Sequence, residues 1–101
     1  MLIVHATFPI APDRRDEALD QIETLAEQSR GEDGVVDYRV ATDVEDPNMF
    51  RFFERYEDEA AFGAHAETDH FQEFEAALPD LLAGDPEVMR FDVESATTVD
   101  L

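Results

Sequence analysis

The stretch 48–56, NMFRFFERY, restricts the fold more than any other part of the chain. Phe50, Phe52, Phe53 and Tyr56 crowd into it, and aromatic side chains suit a pleated, packed surface. As a strand it turns Phe50, Phe52, Glu54 and Tyr56 to one side and Met49, Arg51, Phe53 and Arg55 to the other. A strand with one wet face is polar at every second position. Here both sides carry large apolar groups, so the expected sheet is covered on both faces. The rest of the chain cannot supply two helical layers. The expected second cover is another copy of the chain.

The remaining segments fall around that strand. Residues 2–9, LIVHATFP, alternate, with Leu2, Val4, Ala6 and Phe8 on one face and Ile3, His5 and Thr7 on the other. Pro9 and Pro12 end the strand. Asp13 is the predicted helix cap, with Asp16 completing a weak capping box. Ala18, Leu19, Ile22, Leu25, Ala26 and Ser29 then recur at helical spacing, which predicts an amphipathic helix over 14–30 that stops at Gly31. Residues 35–42 form a second strand with Val36, Tyr38 and Val40 on one face, and 43–48 turn the chain into 48–56. Asp58 can cap a following helix, and Thr68–Asp69 offer a second cap where that helix breaks or turns. Phe71, Phe74, Leu78 and Leu81 make one stripe that tolerates Pro79 near its end. Residues 87–97 alternate again, with Met89, Phe91 and Val93 together. The order β-α-β-β-α-β predicts an α+β, ferredoxin-like fold over a single domain, 1–101: a four-stranded antiparallel sheet with two helices on one face.

Composition excludes several function classes. The chain has no cysteine, so disulfides and thiolate chemistry are out. It has 26 acidic residues against 7 basic ones, a formal net charge of −19, which repels nucleic acid and anionic membranes. No apolar run approaches the roughly 20 residues of a membrane span, and no secretory leader is visible, so the expected location is the cytoplasm. All the basic residues are arginines, and the acids are dispersed rather than gathered in a tail. This pattern fits a surface solvated at high salt; binding of a cationic partner is the rival reading. No phosphate loop, dinucleotide fingerprint or nucleophile elbow is present.

The run Phe53-Glu54-Arg55-Tyr56-Glu57-Asp58, then Ala61-Phe62, His65, Thr68, His70 and Phe71, resembles the antibiotic biosynthesis monooxygenase family, including its quinol monooxygenase branch. Glu54, Tyr56, His65, Thr68 and His70 fall on the family pattern in register, with Tyr56 where a Trp is common. The resemblance implies a homodimer whose two sheets pack face to face as a dimeric α+β barrel, with a pocket between each sheet and its helices. It also implies an aromatic small-molecule substrate, oxidised with O₂ and without metal or other cofactor. Members without demonstrated activity leave a non-catalytic alternative, a dimeric ligand-binding or stress-response module.

Oxygenation of that kind needs a base, a dry apolar cavity and donors for developing negative charge. Histidine suits the base because its reference pKa lies near 6.5. His65, on the same helix side as Phe62, and His70, beside Phe71, are the candidates. Each also has a plain role, in holding the helix break or bonding a nearby Glu. Five residues apart, they would diverge on a continuous helix, so no metal is assigned. Glu54 either bonds an arginine or helix-start amides, or orients a histidine. Tyr56, Phe62 and Phe71 are expected in the pocket wall or core. His5 is expected near substrate or as a satisfied core group.

If the acidic surface is a high-salt adaptation, the melting temperature should fall as salt drops from 1 M to 0.1 M, where the screening length grows from about 3 to about 10 Å. A melting temperature that does not move over that range removes the salt reading.

Overall fold

Strands β1 (Leu2–Pro9), β2 (Val35–Thr42), β3 (Met49–Tyr56) and β4 (Glu87–Asp92) pair in the order β2-β3-β1-β4, antiparallel throughout. These come from a computed structural model that describes residues 1–101. Helices α1 (Arg15–Arg30), α2 (Glu59–Ala66) and α3 (Asp69–Leu81) complete the βαββαβ, ferredoxin-like arrangement, the second helix being broken into α2 and α3. None of them is long and apolar enough to cross a membrane.

The alternation of β1 is kept: Leu2, Val4, Ala6 and Phe8 are buried while Ile3, His5 and Thr7 are less so. Phe50, Phe52, Glu54 and Tyr56 are buried on the same side from β3. Against them α1 lays Ala18, Ile22, Leu25 and Ala26, and α3 lays Phe74 and Leu81. The Phe8 ring meets those of Phe52 and Phe74 edge-on, at 5.0 and 5.9 Å. Such pairs add about 0.5–1.5 kcal/mol each beyond the area they bury. A smaller cluster of Leu2, Val4 and Tyr56 sits at the other end of the core, under Ala61 and Phe62.

Local chemistry sets the element ends, and in three places it departs from the sequence reading. Asp13 does not cap α1. Pro12 starts a tight 3-10 turn over Pro12–Arg14, so Asp13 lies inside that turn and the residue ahead of α1 is Arg14, which makes no side-chain cap. Val36 does not share a face with Tyr38. The register slips between Val35 and Asp37, and this bulge leaves Val36 exposed while Tyr38 is buried. The last strand stops at Asp92, not 97, because its partner β1 begins at Leu2; one further bond, Val93 N to Met1 O at 3.0 Å, ends the pairing.

The expected helix break is present. Asp58 caps α2 by accepting from Ala61 N at 2.8 Å. Thr68 caps α3 by accepting from Phe71 N at 3.2 Å, while its hydroxyl donates to His65 O at 2.7 Å. Thr68 thus closes one helix and opens the next.

The other side of the sheet carries Ile3, His5, Phe53, Met89 and Phe91, with His5 registered between Phe53 and Met89. Phe53, Met89 and Phe91 are 39–47% exposed, so this chain leaves that part of the face open, while Ala96, Thr97 and Thr98 of the tail lie beside Arg55.

Candidate active site

A hydrogen-bonded loop places the first component. Gly31 ends α1, and the turn that follows bonds Glu32 N to Ser29 O at 3.1 Å. Two residues on, Gly34 packs directly on Ala61 of α2; a Cβ there would collide with the Ala61 Cβ, so only glycine allows the contact. Gly34 O also accepts from Glu57 N at 2.9 Å. The loop is held against the start of α2, and Glu32 is carried to the far end of that helix.

There Glu32 meets both histidines. Its Oε2 lies 2.8 Å from His65 Nδ1 and 2.7 Å from His70 Nε2. The break at Glu67–Thr68 redirects the chain, so residues five apart converge, with ring centroids 6.2 Å apart. The expected divergence applied to a continuous helix; with the helix broken here, the two rings meet. A carboxylate oxygen only accepts, so both ring nitrogens facing it carry hydrogen. A neutral His65 therefore has its lone pair on Nε2. That atom is buried and has no partner, and the residue as a whole is 1% exposed. An unmet buried acceptor typically costs about 1–3 kcal/mol. Tyr38, Tyr56 and Phe71 hold the imidazole on its sides, with ring centroids at 5.5, 5.5 and 5.1 Å.

His65 lines a cavity of about 200 Å³ between sheet and helices. Val4, Ala6 and Phe8 form its floor, and Phe62, Phe71 and Phe74 are among its helical walls. Glu54 lines the same cavity. It bonds no arginine, helix amide or histidine; it accepts a 2.5 Å hydrogen bond from the Tyr56 hydroxyl. Burial pushes the Glu54 carboxyl up to about 7; the Tyr56 bond opposes the rise and the negative charge of Glu32 adds to it. Tyr56 is raised in turn, chiefly by its own burial and then by the charge of Glu54. The Glu54 carboxyl proton is therefore held in the physiological range at the cavity wall, while Tyr56 keeps its own proton as the donor.

The structure brings His65, His70, Phe62 and Phe71 around one region, and Glu54 with Tyr56 beside it. Tyr56 is wholly buried and serves the wall through Glu54 and Phe62 rather than lining the cavity itself. His5 lies on the opposite face of the sheet, away from the cavity. Glu32 was missed in the sequence. It stands 33 residues before His65 among 26 acids, and no local spacing marks it.

The family profile described as antibiotic biosynthesis monooxygenase matches residues 1–77. A Bacillus subtilis (strain 168) protein named "Putative monooxygenase YcnE" is 34% identical over 93 residues, 92% of this chain and 98% of that one. A crystal structure titled as an antibiotic biosynthesis monooxygenase superposes with a TM-score of 0.88 at 30% identity, covering 94% of this chain and 100% of that one. Rv0793 from Mycobacterium tuberculosis shares the fold, with a TM-score of 0.90 at 23% identity over 96% of this chain and 98% of its own.

The raised carboxyl of Glu54 has a consequence for stability. Its folded value, about 7, lies above its ordinary 4.5, so the native state holds the proton more tightly than the unfolded chain. The stability this contributes is full below about pH 4.5 and is lost as pH rises through about 7. Glu54→Gln, neutral at every pH, should lack that slope. Between pH 4.5 and 7.5 the wild type should lose roughly 2–3 kcal/mol relative to the variant, measured by denaturant titration. Parallel pH profiles for the two proteins would show that Glu54 is not protonated by burial.

Proposed function

This chain belongs to the antibiotic biosynthesis monooxygenase family, and from that premise we propose that it oxidises a single-ring quinol or phenol with O₂ in the His65 cavity. The observation that carries the reading is His65: Nδ1 bonded to Glu32, Nε2 buried without a partner, in a wall of aromatic rings. This is the arrangement of a base whose tautomer a carboxylate fixes. Size selects the substrate. A closed apolar cavity of about 150 Å³ takes up benzene, so about 200 Å³ is enough to seat one substituted ring.

In this reading His65 Nε2 takes a proton from the ring hydroxyl, and Glu32 stabilises the imidazolium that forms. His70 shares the Glu32 oxygen and keeps the carboxylate in place. The electron-rich phenolate reduces O₂. For a hydroquinone, one oxygen atom joins the ring, and the two hydrogens given up leave with the other atom as water; the substrate supplies all the electrons. Glu54, with its proton near neutrality, passes one hydrogen to the departing oxygen and is reprotonated by the proton that His65 took, so both catalytic groups end as they began. Phe62 and Phe71 exclude water, which would otherwise compete for the phenolate. His5 takes no part.

The same proposal includes a second copy of the chain over the open sheet face. Ile3, Phe53, Met89 and Phe91 form an apolar surface there, and Arg55 Nε, on the same face, is buried without a partner.

Two measurements test these statements. Oxygen uptake on a panel of single-ring hydroquinones, with chelator present, should fall by roughly 10²–10⁴-fold in His65→Ala while the fold persists. Glu32→Gln should lower the same rate, because an amide can donate to Nδ1 and release the tautomer. Uptake that survives both changes removes His65 from the mechanism. Tight ligand binding without uptake moves the protein to the non-catalytic class. Light scattering in about molar salt should give a mass near twice the 11.4 kDa of one chain; a mass of one chain would rule out the paired sheets.

A further inference from the structure

We propose that Glu32, His65 and His70 form a binding site for one divalent first-row transition-metal ion. The potential donor atoms all lie within 4.8 Å of one another. They come from three places in the chain, the loop after α1, the end of α2 and the start of α3, and the packing of Gly34 on Ala61 and the cap at Thr68 hold those places together. Two imidazole nitrogens with one carboxylate oxygen are the donor set of Zn²⁺, Ni²⁺, Cu²⁺ and Fe²⁺ sites. Ca²⁺ and Mg²⁺ prefer oxygen alone.

Bond lengths of about 2.0–2.2 Å to nitrogen and oxygen put tetrahedral ligands roughly 3.3 Å apart. In the metal-free arrangement a proton sits between Glu32 Oε2 and each ring nitrogen, at 2.8 and 2.7 Å. Replacing both protons with one ion requires the carboxylate to recede by about half an ångström and the imidazoles to close on each other. Glu32 and His70 can move in this way, because their side chains are 15% and 18% exposed, whereas His65 is fixed in the core. The same exposure admits the ion and leaves room for water as a further ligand.

Coordination changes what His65 offers the cavity. With the ion on Nδ1, the ring proton must reside on Nε2, so the unpartnered nitrogen becomes a donor instead of an acceptor. The metal-bound and metal-free proteins thus present opposite polarity at one buried atom. Binding itself does not depend on the oxygenase reading.

The test uses the full-length protein, stripped with chelator and titrated with Co²⁺ or Zn²⁺ in molar salt. Excess Mg²⁺ occupies the many surface carboxylates. One equivalent should bind per chain, with the visible absorption bands of low-coordinate Co²⁺, and Zn²⁺ should displace it. Loss of an outer-shell partner alone lowers metal affinity about 10–100-fold, so loss of a ligand in His70→Ala or Glu32→Gln should cost at least about 100-fold. Absent bands, or equal affinity in wild type and His70→Ala, would overturn the site. His70 is partly exposed, so its variant remains informative if Glu32→Gln does not fold.

Discussion

One carboxylate oxygen joins three segments of this molecule that are distant in sequence. Glu32 Oε2 ties the loop after α1 to the end of α2 and the start of α3 through two imidazoles. Its position is not set by those bonds alone. Gly34 must lie flat on Ala61 to bring the loop close, and Thr68 must end one helix and begin another for both rings to face the same point. Removing one member of such a buried polar set leaves the others short of partners, which costs more than the bond itself contributes.

The core has two ends of different character. Around Phe8, Phe52 and Phe74 it is aromatic, and the edge-on contacts of Phe8 with the other two rings help set the spacing of sheet and helices. Around Tyr56, Glu54 and His65 it holds polar groups that a purely structural core would not choose. A buried carboxyl with one hydrogen bond from a tyrosine becomes a cost to stability as it ionises. The cavity lies where the two ends meet. It therefore combines apolar walls with the side chains of Glu54 and His65.

The basic residues show how sparingly positive charge is used. Arg14, Arg39, Arg51 and Arg90 pair with acids at the surface, an arrangement that contributes little each. Arg30 bonds Tyr38 O, and Arg15 lies 5.4 Å over the Phe50 ring, so both brace the core edge rather than offset the acids. The excess of negative charge is left to the solvent.

Alternation and helical spacing were enough, in the sequence alone, to give the order of the elements, the residues that share a face of β1 and of β3, and the capped break before α3. Those features depend on residues within a few positions of each other. The same local run supplied His65, His70 and Glu54 as candidates, and the family resemblance rested on it. What the tertiary structure decided was which of these groups meet. A bulge displaced Val36, and Pro12 took Asp13 out of its capping position. The break turned two diverging histidines toward one oxygen. Glu32 came to them from 33 residues away, and Glu54 found Tyr56 instead of an arginine. Contacts of that kind are made by close approach of distant segments, and periodicity along a chain carries no record of them.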